Sequence, residues 1–281
     1  MGKVIGFVNQ KGGVAKTTSS TNMAYILAND YHKKVLFIDF DGQHNGTDSF
    51  SLIEQLNENL KENEDPILID DLDNTIVDII NYIITDEMDK IPKDKNKYIY
   101  HLKGVDVIPC NGELSMLENN LVNVEFQRET ILKRFVDTIK DDYDYIIMDS
   151  LPKLGLQMIN LLFACDEVII PTHCAKKAIS GFTDLIKIIN KVKKNGNDKL
   201  EVKGILITMA NEKTTAFSFI KEQIETNYNE YKIYKSVIPF VQKFEESDLF
   251  GKLWVEHLPN HKASVRYKEF VKEYLQDENN I

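Results

Sequence analysis

Short apolar runs alternate with helical patterns along most of the chain, and this alternation restricts the fold more than any other feature. The runs occupy residues 3–9, 34–39, 105–109, 145–149, 167–171, 202–208 and 233–239. Continuous apolar strands are typical of parallel sheets that helices bury on both faces. The sequence therefore predicts an α/β fold, with a mostly parallel twisted sheet and helices on both faces, as a single domain over residues 1–281.

The composition is that of a globular protein. The 281 residues are 43% hydrophobic and 28% charged, which excludes a disordered chain and a fibrous repeat. The best apolar stretch, residues 154–164, is too short to cross a membrane. No leader precedes the first strand-like run, so we expect a cytoplasmic location. Three irregularly spaced cysteines, Cys110, Cys165 and Cys174, indicate neither a disulfide framework nor a metal site.

The net charge of −10 comes from one segment. Between Glu54 and Asp94 there are 13 acidic residues against three lysines, whereas 176–203 has eight lysines against three acidic residues. The overall charge therefore leaves room for a basic face. Residues 51–97 also interrupt the strand and helix alternation, so we predict an acidic insertion at the periphery of the sheet. A solvated surface is the first interpretation of this segment, and a docking surface for a basic partner is the second.

A glycine-bearing turn, Lys11-Gly12-Gly13-Val14-Ala15-Lys16-Thr17-Thr18, follows the first strand and opens a helix. Backbone N–H groups at the start of a helix can bind phosphate oxygens, and lysine and threonine side chains there can contact phosphates and Mg2+. A strict GxxxxGK[ST] pattern is not matched, because Gln10 and Ala15 stand where the two glycines would be. A Gly-Gly turn with chance lysines is the alternative interpretation.

Two further polar segments lie at predicted strand ends: residues 39–47 (DFDGQHNGT) and residues 149–155, which end the stretch 143–155 (YDYIIMDSLPKLG). With KGGVAKTT, they resemble the ParA/MinD ATPases, whose deviant Walker A loop reads KGGxxKT[ST] and whose other motifs read DxDPQxNxT and YDYIIIDxPPSLG. Residues 166–171, 204–209, 237–239 and 250–252 follow in the family's order. The resemblance covers about residues 3–50 and 98–275 and leaves the acidic insertion unmatched. It implies a P-loop NTPase fold with ATP and Mg2+ as cofactors.

The resemblance also implies roles for individual residues. Lys16 contacts the β and γ phosphates of its own nucleotide, Lys11 contacts the nucleotide of the partner subunit in an ATP-dependent homodimer, and Asp41 orients the attacking water. The implied metal ligands are Thr17, Asp39 and Asp149. The implied nucleotide-binding residues are Lys11, Gly12, Gly13, Val14, Ala15, Lys16, Thr17 and Thr18, with Thr208, Met209 and Pro239 near the base. Plain strand termination is an equal interpretation of the last three.

Departures from the family pattern leave the hydrolysis rate open. Ala15 adds a methyl group beside the phosphates, which is tolerable only in a conformation that does not need glycine. Gly42 replaces the family's proline and loosens the loop. Leu151 and Lys153 replace proline and serine, and Lys153 adds a cation near the implied dimer face. We expect an ATPase that is slow and stimulated by a partner.

Other branches of the family fit this sequence less well. A membrane-binding branch would end in a basic amphipathic helix, whereas residues 274–281 are acidic. Cluster-bridging cysteines are missing, and the loop begins too early for a preceding helix-turn-helix domain. We therefore expect a DNA-partition ATPase on the nucleoid: an ATP-switched dimer that binds DNA non-specifically and segregates a plasmid or chromosome origin with a centromere-binding ParB-like partner. The alternatives are a cargo-positioning ATPase and a nucleotide switch that acts through a protein partner without DNA.

The resemblance places DNA binding on basic residues that follow two late strands. In this sequence they are Lys213, after residues 202–208, and Lys243, after residues 237–239. The residues expected to widen the patch are Lys252, Lys262, Arg266 and Lys268. Taken singly, each is better explained as a solvated surface residue. Pairing of two copies in a dimer is what would make the patch effective.

Overall fold

A seven-stranded sheet forms the centre of the molecule in the computed structural model, which describes residues 2–61, 64–174, 176–241 and 253–278. The strands are β1 (Lys3–Phe7), β2 (Val35–Ile38), β3 (Tyr100–Leu102), β4 (Val105–Ile108), β5 (Tyr145–Asp149), β6 (Glu167–His173) and β7 (Glu201–Thr208). Their order is β3-β4-β2-β5-β1-β6-β7. All neighbouring pairs are parallel except β3 and β4, which are antiparallel. The α/β fold expected from the sequence is confirmed.

The sheet differs from the prediction at two strands. Residues 233–239 form no strand and make only isolated bridges, Ile205 with Ile233 and Ala210 with Pro239. The antiparallel edge strand β3 was not predicted, because its three residues are only partly apolar. A two-residue turn joins β3 to β4, and both of its residues have positive φ, 51° at Lys103 and 80° at Gly104. Such turns match the twist of a tight hairpin.

Helices cover both faces of the sheet. They are α1 (Lys16–Asn29), α2 (Asn45–Ser49), α3 (Leu52–Glu58), α4 (Ile76–Ile84), α5 (Leu114–Val122), α6 (Ile131–Ile139), α7 (Leu156–Ala164), α8 (Lys176–Lys194), α9 (Thr215–Asn227), α10 (Trp254–His257) and α11 (Lys262–Glu278). Short 3-10 turns occupy Ile69–Asp71, Met88–Lys90, Lys95–Lys97 and Lys140–Asp142. None of the helices in the described ranges combines the length and apolar character needed to cross a membrane.

The hydrophobic core is divided by the sheet into two clusters. Neighbouring residues of β1 point to opposite faces, so Val4 belongs to one cluster and Ile5 to the other. Side chains from α4 to α9 fill the first cluster, and side chains from α1, α10 and α11 fill the second. The helices do not cover the two ends of the strands. We call the side with the amino ends the amino edge of the sheet and the side with the carboxyl ends the carboxyl edge.

The acidic segment 51–97 reaches into this core. Five side chains of α4 are buried there: Ile76, Val77, Ile79, Ile80 and Ile83. The Asp78 carboxylate accepts a hydrogen bond from the Thr75 backbone N–H at 2.8 Å, which satisfies a donor at the start of the helix. The segment therefore differs from the peripheral insertion expected from its charge, because its helix α4 packs on the sheet. The acidic residues described in the segment, including Asp78 of α4, lie outside the buried core.

A partly buried ionic cluster closes the amino edge of the sheet. The Nζ atoms of Lys3 and Lys203 lie 2.6 and 2.9 Å from Glu278 Oε1, and both lie 3.6 Å from Glu167 Oε2. The Tyr274 hydroxyl donates to the other oxygen of Glu167. Because each charge has an opposite partner, Glu167 and Lys203 can remain buried between β1, β6, β7 and the end of α11, while Lys3 stays partly exposed.

Candidate functional site

Three polar loops meet at the carboxyl edge of the sheet, as the sequence predicts. Strands β2, β5 and β1 are neighbours, so the loops that follow them, residues 39–47, 150–155 and 8–15, lie side by side. They enclose a cleft of about 370 Å³. Its lining residues are Gly12, Gly13, Ala15, Lys16, Thr17, Thr18, Asp41, Gln43, Asn45, Pro152 and Met209. The cleft thus joins the predicted phosphate loop to the predicted switch and Walker B segments.

Hydrogen bonds to β6 and β7 fix the phosphate loop in place. Asn9 donates from Nδ2 to the Pro171 carbonyl at 2.7 Å and accepts from the Lys11 backbone N–H at 3.0 Å. The Thr208 hydroxyl lies 3.0 Å from the Val14 carbonyl and 3.1 Å from the Thr172 carbonyl. The loop is therefore preorganised by buried side chains that the sequence patterns did not assign to it.

The N-terminus of α1 is open to an anion. Ala15 is the residue before the helix, and no side chain caps the first turn, which contains no acidic residue. Ala15 has φ of 56°, in the left-handed region, so the expectation that it keeps a conformation accessible without glycine is wrong. For an alanine this backbone costs about 1 kcal/mol. The strained turn directs the unpaired N–H groups of the helix toward the cleft.

Lys16 lies at the floor of the cleft with only 7% of its surface exposed. Its Nζ is 3.4 Å from the Lys11 carbonyl oxygen. Burial lowers the pKa of Lys16, while the charges of Asp149 and Asp41 oppose that shift. No carboxylate of the described residues is in direct contact with this buried ammonium, and a phosphate group is the kind of ligand that would neutralise it.

Asp149 and Thr17 form the candidate metal site beside Lys16. The Thr17 hydroxyl donates to Asp149 Oδ2. The other oxygen, Oδ1, is buried and has no hydrogen-bond partner in the described chain. Burial, together with the nearby carboxylate of Asp39, raises the pKa of Asp149 to about 7. Hydroxyl and carboxylate oxygens are ligands that Mg2+ prefers, so this pair fits the metal predicted from the sequence.

Asp39 and Asp41 have different surroundings in the second loop. Asp39 Oδ2 accepts from the backbone N–H of Thr47 at 2.7 Å and from its hydroxyl at 2.8 Å, and Oδ1 accepts from the Asp41 N–H at 3.2 Å. Burial raises the pKa of Asp39 to about 7. Asp41 lines the cleft, and burial raises its pKa as well. Asp39 therefore holds the loop that carries Asp41, and its role as a metal ligand stays a prediction.

Lys11, the second lysine of the loop, contacts its own chain. Its Nζ lies 3.0 Å from Nε2 of His173, the last residue of β6. Lys11 is not among the residues that line the described cleft. No sequence motif identified His173, which lies two residues beyond the predicted strand 167–171.

The three residues predicted near the base differ in their position relative to the cleft. Met209 lines the cleft and has φ of 49°. Thr208 is fully buried beneath the loop, where its hydroxyl contacts Val14. Pro239 pairs with Ala210 and does not belong to the lining of the described cleft. Of the three, Met209 alone is placed to touch a nucleotide in this conformation.

The predicted DNA-binding residues are only partly described. Lys213 is exposed on the turn after β7, at the same edge as the cleft. Arg266 is paired with Glu269 at 2.7 Å and with Glu212 at 3.8 Å. Lys262 lies 3.8 Å from Glu212, and Lys268 lies 3.1 Å from Asp30. Lys243 and Lys252 lie outside the described residues. Acidic neighbours thus neutralise much of the described patch.

Comparison with known proteins identifies the class of protein to which this chain belongs. A family model described as an AAA domain matches residues 2–202. Sporulation initiation inhibitor protein Soj of Bacillus subtilis (strain 168) is 34% identical over 273 residues, which are 97% of this chain and 98% of that protein. The chromosome-partitioning ATPase Soj of Treponema pallidum (strain Nichols) is 32% identical over 253 residues, 89% of this chain and 88% of that protein.

A solved structure supports the fold over nearly the whole chain. Cobyrinic acid a,c-diamide synthase from Mycobacterium smegmatis, with bound ADP and magnesium, superposes with a TM-score of 0.77. It is 25% identical and covers 99% of this chain and 96% of that chain.

Fold and cleft together define a P-loop ATPase of the α/β class. Within that class, the chain belongs to the ParA/Soj family.

Proposed function

We propose that this protein binds ATP with Mg2+ in the cleft and hydrolyses it, and that ATP switches it to a dimer that binds DNA in partition. ATP and Mg2+ binding is supported by three features that lie close together. The open N-terminus of α1, the buried ammonium of Lys16 and the unpartnered oxygen of Asp149 all lie at one edge. Each is costly without a ligand, and a triphosphate with its metal would satisfy all three.

Thr17 and Asp149 would hold the magnesium ion, directly or through water. When bound, the metal would supply positive charge to the phosphates. The Lys16 ammonium would also offset phosphate charge, and the loop N–H groups would bind oxygens that gain charge during hydrolysis. Asp41 would accept a hydrogen bond from the attacking water and orient it. The family resemblance implies these roles, and two observations support them: Lys16, Thr17 and Asp41 line one cleft, and Asp149 is bound to Thr17.

A dimer is proposed because one triphosphate does not need both lysines of the loop. Lys16 already faces the cleft, whereas Lys11 is held outside it by His173. A second copy facing the cleft would bring another triphosphate within reach of Lys11. Light scattering of the protein with ADP and then with ATP tests this step. A molecular mass in solution that is the same with both nucleotides would contradict it.

DNA binding and partition rest on relatedness and on one exposed cation. Two Soj proteins match most of this chain, and one of them is named a chromosome-partitioning ATPase. Lys213 is exposed at the edge that would face a second copy, so a dimer would present two such lysines together. We also propose a centromere-binding ParB-like partner, a nucleoid location, and hydrolysis that is slow until the partner binds.

The test is a titration of mixed-sequence duplex DNA with ADP, with ATP, and with variants in ATP. We expect binding only with ATP, with an affinity that falls steeply as salt is added. Lys213→Glu should weaken binding at least tenfold without changing the ATP dimer. Lys194→Glu is the matched control, since it makes the same charge change at the far end of α8, where the residue is exposed.

Two alternatives would follow from other results. A chain that dimerises with ATP but never binds DNA would be a nucleotide switch acting through a protein partner. A chain that binds DNA with ATP but moves a protein cargo would be a positioning ATPase, and gene neighbourhood would identify that cargo. Equal loss in the Lys213 and Lys194 variants would show that general charge, rather than the edge beside the cleft, binds DNA.

A further inference from the structure

The contact between Lys11 and His173 restrains the second lysine of the phosphate loop. We propose that His173 is a positioning residue that holds the Lys11 ammonium within its own chain and thereby opposes dimer formation until ATP binds. This inference rests on the proposed function, in which Lys11 reaches the nucleotide of a second copy. The Nζ to Nε2 distance of 3.0 Å is that of a direct hydrogen bond.

His173 can accept this hydrogen bond only as a neutral imidazole. Burial lowers the pKa of His173, and the Lys11 charge lowers it further. When Nε2 accepts from Lys11, the ring proton must be on Nδ1. Nδ1 is buried and has no hydrogen-bond partner in the described chain. The contact therefore carries an unsatisfied donor, so it is weak enough to be exchanged for phosphate oxygens.

Three contacts hold Lys11 within its own chain. Its backbone N–H donates to Asn9, its carbonyl lies near Lys16 Nζ, and its ammonium contacts His173. Asn9 is itself bound to the Pro171 carbonyl of the same strand. Extension of Lys11 into a second subunit thus requires loss of the His173 contact. Dimerisation must compensate for that loss, and a triphosphate, with its several charged oxygens, provides a stronger partner.

The contact itself can be measured in the nucleotide-free monomer. Lys11 labelling by an acetylating N-hydroxysuccinimide ester is compared with labelling of the exposed Lys213 by peptide mass mapping. His173→Ala should raise the Lys11 to Lys213 labelling ratio several-fold. His173→Gln should keep the ratio near that of the parent, because the glutamine amide oxygen can accept from the same ammonium. An unchanged ratio in His173→Ala would overturn the contact.

The role in dimerisation is measured on the same proteins with ATP by sedimentation. We expect His173→Ala to lower the dimer dissociation constant about tenfold, and His173→Gln and the surface control His101→Ala to leave it unchanged. ADP affinity of the monomer should be equal in all four proteins, which would show that the phosphate loop is intact. Higher labelling with an unchanged or weaker dimer would overturn the opposing role. A parent chain that stays monomeric in ATP would instead overturn the proposed function, while the labelling ratio would still decide whether the contact exists.

Discussion

The Asp39 carboxylate binds Thr47 twice, through the backbone N–H at 2.7 Å and through the hydroxyl at 2.8 Å. Both residues are fully buried. The same hydroxyl accepts from the Cys110 N–H at 3.2 Å, so one side chain joins the loop after β2 to the loop after β4. This network sets the path of the loop that carries Asp41 to the cleft.

Loss of that hydroxyl should destabilise the fold. Thr47→Ala leaves Asp39 and the Cys110 N–H each without one partner, and we expect the free energy of unfolding to fall by about 2 kcal/mol. Thr85→Ala is the control, because Thr85 also makes two side-chain hydrogen bonds but is exposed, and it should cost about 0.5 kcal/mol or less. Chemical denaturation without nucleotide measures both. Equal losses would show that the buried network adds no stability.

The two lysines of the phosphate loop should have separable effects. Lys16→Gln removes the buried charge under the cleft and should weaken ATP binding by about 10- to 100-fold. Lys11→Ala should keep the ATP affinity within about threefold but abolish ATP-dependent dimers. Fluorescent nucleotide titration and light scattering measure the two properties. Robust ATP dimers of Lys11→Ala would remove its role in the second subunit.

Asp41 should affect turnover more than binding. Asp41→Ala removes the group that orients water, and a positioned acid–base group contributes about 100-fold or more to rate. We expect the rate of phosphate release to fall by about that factor while ATP binding and the dimer persist. Asp48→Ala, on the neighbouring α2 and outside the lining of the described cleft, is the control. Hydrolysis at the parent rate in Asp41→Ala would show that another group orients the water.

Asp149 should make the stability of the nucleotide-free protein depend on pH. Its pKa is raised from 3.8 to about 7, so the folded chain binds more protons than the unfolded chain between these values. The contribution of Asp149 to the free energy of unfolding is therefore greatest at low pH, and it falls as the pH rises from about 4 to about 7. Asp149→Asn cannot ionise and should lose less stability between pH 5 and pH 8 than the parent does.

Thermal unfolding at several pH values tests this prediction. The exposed Asp89→Asn is a control that should follow the parent. The same Asp149→Asn protein should also lose the gain in ATP affinity that Mg2+ gives the parent, because an amide is a poorer ligand than a carboxylate. Parallel pH profiles of the parent and the variant would show that Asp149 is ionised throughout.

The sheet and the cleft were predictable because they rest on local patterns. Continuous apolar runs identified six of the strands, and the polar residues that follow three of them meet as expected. The family resemblance and the α/β fold are confirmed. The edge strand β3 could not be found in this way, because a partly exposed three-residue strand depends on its hairpin partner.

Other features depend on tertiary contacts. A weak helical pattern was visible at residues 74–84, but the acidic charge of the segment did not indicate that this helix, α4, packs on the sheet. Its isoleucines are separated by Asp78 and Asn81, which lie outside the buried core. Backbone geometry at Ala15 and the pairing of Lys11 with His173 arise from residues far apart in sequence, so no motif contains them. A count of basic residues likewise cannot predict that Arg266 is paired with Glu212 and Glu269.

The ionic cluster at the amino edge has a consequence for how the chain folds. Lys3 and Glu278 are 275 positions apart, so β1 receives this carboxylate partner only after the other strands of the sheet have been synthesised. Until α11 has left the ribosome, Lys3 and Lys203 share the single carboxylate of Glu167. Contacts between such distant residues slow folding, because the entropy of closing the loop is lost before the contact forms. The nucleotide-binding sheet therefore reaches its native charge balance only when the last helix is complete.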